Sequence, residues 1–73
     1  MSLLQVLSKE KRAKLEKIVD EYGVYILGVS RNIQGTIDIL LDTNIYYKAQ
    51  AEMYNKIKAL LPELNDLDYK DII

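Results

Sequence analysis

The sequence contains no cysteine, histidine, tryptophan or phenylalanine. Without cysteine it forms neither a disulfide nor a thiolate metal site, and without histidine it lacks a common zinc ligand and the usual general base at neutral pH. We find no nucleophile paired with a base, no metal-ligand cluster and no phosphate-binding glycine loop, so we expect no enzyme, no metal and no cofactor.

Long apolar runs and strong net charge are also absent. No run reaches the ~20 residues of a membrane span, and the first seven residues lack the basic segment and cleavage site of a secretory signal, so we expect a cytoplasmic protein without a membrane partner. The net charge is −1. Residues 1–35 carry six basic and four acidic side chains, whereas residues 36–73 carry four basic and seven acidic ones, so a basic first half precedes an acidic second half.

The first half contains the clearest helical pattern. Ser8 is a good N-cap, and apolar side chains then recur at helical spacing from Leu15 to Tyr22. Gly23 suits the left-handed residue that ends a helix, although the helix could also continue to Gly28. Ahead of it, residues 3–7 are predicted as a short strand, with a helical turn capped by Ser2 as the alternative.

Residues 30–42 fit two patterns. Polar residues at 31, 34, 38 and 42 are three or four positions apart, which favours a second helix that Ser30 caps. A β-hairpin of residues 24–30 with 36–42 is the alternative. A third helix is predicted over about 45–61, because Pro62 would end it, and an acidic tail follows.

The predicted strand, capped helix, glycine turn and Ser30-Arg31 helix start resemble the ribbon-helix-helix regulators of the Arc, MetJ and CopG type over residues 2 to about 44. The resemblance implies a mainly α fold in which a short N-terminal strand pairs across a dimer and is followed by two helices, here with an additional C-terminal helix. An α-β-β-α or all-helical hairpin dimer is the alternative fold. Residues 1–44 would be the DNA-binding module, and residues 45–73 would add a helix and tail to the same domain.

The same resemblance implies a homodimeric transcriptional regulator whose antiparallel β-ribbon enters the major groove of double-stranded DNA. Gln5 and Ser2 would read bases. The residues predicted to contact phosphate are Ser30, Arg31, Asn32, Lys9, Lys11 and Arg12. The residues predicted to form the dimer core are Leu4, Val6, Leu15, Ile18, Val19, Tyr22, Ile33, Ile37, Leu40 and Leu41.

Two other functions fit the sequence. The chain could be a helical adaptor, a hairpin dimer that binds other proteins through its tyrosines, its C-terminal helix and its acidic tail and never contacts DNA. It could also be an antitoxin with the ribbon-helix-helix fold, whose third helix and tail mask a toxin while the ribbon represses transcription.

Overall fold

The computed structural model describes residues 6–42 and 45–70. Helix α1 (Lys9–Asp20) is followed by strands β1 (Ile26–Arg31) and β2 (Ile37–Leu41), helix α2 (Tyr47–Leu60) and strand β3 (Leu64–Tyr69). The Ser8 side chain accepts a hydrogen bond from the Lys11 N–H at 3.2 Å, which confirms the predicted N-cap of α1.

The three strands form one mixed sheet with β2 in the centre. Strand β1 pairs with β2 in the antiparallel sense, and β2 pairs with β3 in the parallel sense. A parallel pair needs a crossover connection, and α2 provides it. Each pairing has one register irregularity. The first lies between Ile26 and Gly28 in β1, and the second lies between Leu64 and Asp66 in β3, opposite Ile37 and Asp38.

One face of the sheet packs against both helices. On β2 the side chains of Ile37, Ile39 and Leu41 are buried, whereas Asp38 and Leu40 between them are not. The residues buried with them in the core are Leu7, Leu15, Val19, Val24, Met53, Ile57, Leu61, Leu64 and Leu67. We call the opposite face of the sheet, on which Asp38 and Leu40 lie, the open face.

A tight turn connects β1 to β2. The Asn32 side-chain oxygen accepts from the N–H groups of Gln34 and Thr36 at 2.9 and 3.1 Å, and the Asn32 amide donates to the Thr36 hydroxyl at 2.6 Å. Gly35 adopts φ +88°, which a residue with a side chain rarely tolerates. The turn residues Asn32 and Gly35 therefore fix the hairpin.

The predicted mainly α fold is wrong. Residues 30–42 form most of a β-hairpin, not a helix. Along β2 every second side chain is buried, which is the period of two that a strand imposes. The hairpin alternative was the right interpretation of this segment. Part of the predicted acidic tail is strand β3, and Val6 and Leu7 lie outside any strand; residues 3–5 of the predicted N-terminal strand are outside the described residues.

The helical predictions on either side of the hairpin agree better with the structure. Helix α1 ends at Asp20, and Gly23 follows with φ +72°, as in the interpretation that closes the helix there. Helix α2 lies within the predicted third helix and stops before Pro62. The correction therefore concerns the second predicted helix, which is replaced by the β1–β2 hairpin, and strand β3; the resemblance implied neither the hairpin nor β3.

Candidate interaction surfaces

The residues predicted to bind phosphate at the start of a helix lie in the hairpin instead. Ser30 is in β1 opposite Asp38 and is exposed. The Arg31 guanidinium donates to the Gly35 carbonyl at 2.6 Å and lies 3.8 Å from a Glu63 carboxylate oxygen. Asn32 is engaged in the turn. The structure brings these three residues together, but without a helix N-terminus to attract an anion.

The other predicted DNA contacts lie elsewhere. Lys9, Lys11 and Arg12 are exposed on α1, where Arg12 forms an ion pair with Glu16 at 3.2 Å. The base-reading candidates Ser2 and Gln5 are outside the described residues. The α1 cations and the Ser30–Asn32 group thus belong to different elements of the fold.

The predicted dimer-core residues divide into three groups. Leu15, Val19, Ile37 and Leu41 are buried within a single chain, and Val6, Ile18 and Tyr22 pack partly against that core. Ile33 at the hairpin tip is fully exposed and Leu40 on the open face is 39% exposed. Leu4 is outside the described residues.

The outer edge of β1 has backbone groups that no described residue pairs. The Asn32 N–H donates to the Thr36 carbonyl and the Asp42 N–H donates to the Tyr25 carbonyl. Backbone N–H and C=O groups alternate in direction along an antiparallel strand. The backbone groups of Ser30 therefore face β2, and those of Val29 and Arg31 face outward. On β2 the Ile37 N–H donates to the Glu63 carbonyl just before β3. Ile37, the partner of Arg31, therefore directs its N–H away from β1, as the alternation requires.

A groove lies beside the start of this edge. It has a volume of about 520 Å³, and the described residues that line it belong to α1 and to the segment Val24–Ile26. Its α1 wall contains charged side chains of both signs, Glu16, Lys17 and Asp20, beside Ala13 and Val19. Tyr25, just before β1, and Leu27, at the irregularity within it, are 69% and 50% exposed. Among the described residues, the β1 edge thus combines unpaired backbone groups with exposed apolar side chains.

The opposite edge, β3, is acidic. Asp66 and Asp68 are exposed on it. Asp38 on β2 accepts a hydrogen bond from the Asn65 side chain at 2.7 Å. In the described part of the chain, no group of three or more carboxylates is arranged to hold a metal ion.

A small pocket lies between α2 and β3, and we call it the tyrosine pocket. Its volume is about 200 Å³, and it is lined by Tyr47, Gln50, Ala51, Tyr54, Asp66, Leu67 and Tyr69. The Tyr69 hydroxyl is buried and has no hydrogen-bond partner in the described part of the chain. Burial and, after it, the charge of Asp66 raise the pKa of Tyr69 above its ordinary value.

Sequence reasoning missed both surfaces. The β1 edge follows from the hairpin alternative, since the first strand of a hairpin has a free side unless a third strand covers it. The tyrosine pocket had a partial signal, because Tyr47 and Tyr54 are two turns apart on the predicted third helix. Asp66 and Tyr69 had none, since the strand they belong to was not predicted.

No protein-family model, no curated protein and no solved structure matches this chain. Across residues 6–42 and 45–70, neither helix has the length and apolar character needed to cross a membrane.

Proposed function

We propose that this chain is a protein-interaction module that binds through the outer edge of β1, and that its partner there is a second copy of the chain. The observation that carries the proposal is the outward direction of the Val29 and Arg31 backbone groups on a strand with no charged side chain from Ile26 to Ser30. Such an edge is a template for another strand.

The contrast between the two edges explains why β1 is the pairing edge. Antiparallel pairing of β3 with its own copy would place aspartates near aspartates, which is unfavourable. Charged side chains are a common protection of an edge strand against pairing. Strand β1 has this protection only at its end, at Arg31, and the irregularity near Ile26 leaves Gly28–Arg31 as the regular segment.

The size of the chain favours a second copy as the partner. Seventy-three residues bury a smaller fraction of their surface than a larger domain does, so small domains often gain stability by oligomerisation. A two-fold axis at the β1 edge would join the two sheets and bring Tyr25 and Leu27 of each copy toward the interface, where apolar contact adds to the backbone hydrogen bonds.

The DNA-binding function remains a prediction. Its phosphate site depended on a helix that starts at Ser30, and Ser30 lies in β1. The interaction module, by contrast, uses features of the described residues alone.

Light scattering over a range of protein concentrations tests the proposal. We expect a dimer for the wild type and a monomer for Leu27→Lys, because a lysine at the edge opposes strand pairing. Leu40→Lys is the matched control, since Leu40 is similarly exposed but lies on the central strand β2, which is paired on both sides, and this variant should remain a dimer.

Amide hydrogen exchange gives an independent measurement. The Ser30 N–H should be protected at all concentrations, whereas protection of the Val29 and Arg31 N–H groups should rise as the protein concentration rises. A wild type that stays monomeric, or a Leu27→Lys variant that stays dimeric with Val29 protected, would refute the proposal.

A further inference from the structure

The tyrosine pocket has the composition of a cation site. Tyr47, Tyr54 and Tyr69 supply three aromatic rings and Asp66 supplies a carboxylate, and none of the described residues that line the pocket is a lysine or arginine. Aromatic rings carry partial negative charge on their faces, so they attract a cation placed over them. A carboxylate beside the rings adds a full negative charge.

The fold positions these groups without contribution from the predicted DNA-binding residues. Tyr47 and Tyr54 lie two turns apart on α2, so they share one helical face. Asp66 lies at the register irregularity of β3, where it pairs with Asp38 and the preceding Asn65 is an extra residue. One Asp66 carboxylate oxygen accepts from the Leu67 N–H at 2.9 Å, which orients the side chain.

The buried Tyr69 hydroxyl also points to a ligand in the tyrosine pocket. Buried polar groups nearly always have a hydrogen-bond partner, so one without a partner calls for an explanation. This hydroxyl has none in the described part of the chain, and its residue lines the pocket. A quaternary ammonium nitrogen carries no N–H, so the missing partner would be a polar group beside the cation, such as the hydroxyl of choline or a backbone carbonyl of a peptide. The raised pKa of Tyr69 indicates that the hydroxyl stays protonated and experiences the charge of Asp66.

Other classes of ligand fit the pocket less well. An anion would meet the Asp66 carboxylate without a compensating cation among the lining residues. A metal ion needs more oxygen ligands than one carboxylate and the phenol groups provide. A purely apolar ligand would bury Asp66 without a partner, which is costly.

We propose that the tyrosine pocket binds an organic ammonium group, with the cation against the tyrosine rings and facing Asp66. A volume of about 200 Å³ equals roughly six or seven water molecules at about 30 Å³ each, which suits a methylated ammonium head group. Such a group occurs in free amines of the choline type and in methylated lysine side chains of proteins. This proposal is independent of dimerisation through β1.

Three probes test the chemistry by nuclear magnetic resonance titration of the labelled full-length chain. They are choline, its neutral isostere in which carbon replaces the nitrogen, and a short peptide that contains trimethyllysine. We expect saturable shifts of Tyr54 and Tyr69 with choline or the peptide, and binding of the isostere that is weaker by about tenfold or more. Equal binding of choline and its isostere would overturn the proposal, as would the absence of saturable binding by all probes.

The affinities of choline and of the trimethyllysine peptide, compared with each other, identify the source of the ammonium group. A peptide affinity at least about tenfold above that of choline identifies a methylated lysine in a partner protein, because contacts beyond the head group then contribute. An affinity of choline equal to or above that of the peptide identifies a free ammonium compound. Either result supports the shared chemistry.

Asp66→Asn and Asp68→Asn form a matched pair of variants. Asparagine at position 66 keeps an oxygen for the Leu67 N–H but removes the charge, so we expect ammonium binding to fall by about tenfold while isostere binding is unchanged. Asp68 lies on the same strand but is not among the residues that line the pocket, and its variant should bind as wild type. Equal losses in the two variants would mean that general charge attraction, not the pocket, holds the cation, and would refute the proposal.

Discussion

Truncation of side chains along the hairpin distinguishes the observed strand from the helix that the sequence favoured. Ile39 is fully buried on the central strand, Leu40 beside it is 39% exposed, and Ile33 at the hairpin tip is fully exposed. A helix over residues 30–42 would bury Ile33 and Leu40 and leave Ile39 outside its apolar stripe. The two structures therefore predict opposite rankings of the same three alanine variants.

The magnitudes follow from burial. Ile39→Ala leaves a cavity between the sheet and the helices and should lower the free energy of unfolding by about 2–5 kcal/mol. Leu40→Ala should cost about 1 kcal/mol, because part of its side chain is already in water. Ile33→Ala should stay within about 0.5 kcal/mol of the wild type. A chain of this length is expected to have about 4–11 kcal/mol of stability in total, so Ile39→Ala removes a large part of it.

Urea unfolding with linear extrapolation measures all three changes. The titrations should be repeated at two protein concentrations, because dimerisation would add a concentration-dependent contribution to the apparent stability of every variant. If Ile33→Ala and Leu40→Ala destabilise the protein more than Ile39→Ala, the alternating burial on β2 is wrong and the predicted helix over residues 30–42 is right.

Four further variants test three local features. Ser8→Ala should lower the stability by about 1 kcal/mol, because the first turn of α1 loses its cap, and a change below the error of urea unfolding would contradict the cap. Gly35→Ala should cost about 1 kcal/mol because its φ of +88° strains alanine, whereas Gly28→Ala, without a positive φ and with no atom within 4 Å of the added carbon, should be nearly neutral. Tyr69 has a raised pKa in the folded state, so its contribution to stability is fully present below pH ~10 and is lost as the pH rises through the folded-state pKa. Urea unfolding at increasing alkaline pH should therefore show a steeper loss for the wild type than for Tyr69→Phe, and identical slopes would show that the hydroxyl does not titrate as inferred.

The sequence predicts the helices better than the strands, because the two helices carry local signals. Ser8 starts α1 with a side-chain cap that needs no tertiary contact, and Pro62 ends the region in which α2 can form. Both signals act within a few residues along the chain. Their effect could therefore be inferred without knowledge of the fold.

The hairpin was ambiguous because its polar residues imitate a helical period. Arg31, Gln34 and Asp38 are three or four positions apart, yet they lie at the end of β1, in the turn and on the open face, respectively. The adjacent pair Leu40 and Leu41 fits a helical stripe as well as a strand with one exposed leucine. Only the period of the buried residues distinguishes the helix from the strand. Because burial depends on tertiary packing, the sequence did not decide between them.

Strand β3 could not be predicted from its residues. Aspartate and asparagine are poor strand formers, and Asn65 and Asp66 interrupt the alternation because Asn65 is an extra residue between the partners of Ile37 and Asp38. Pairing with β2 and burial of Leu64 and Leu67 stabilise the strand instead. For the same reason the sequence indicated only the α2 side of the tyrosine pocket, since Asp66 and Tyr69 approach α2 only when β3 has formed.

The difference in charge between the two sheet edges connects the two proposals while keeping their failures separate. At β3, the carboxylates oppose pairing with another strand, and Asp66 also lines the tyrosine pocket. At β1, the segment from Ile26 to Ser30 has no charge to oppose pairing. A monomer that still binds choline would remove the role of the β1 edge and leave the pocket intact, and a dimer without ammonium binding would do the reverse. Since Leu27 lies on one edge and Asp66 on the other, a substitution at either position tests one surface without altering the side chains of the other.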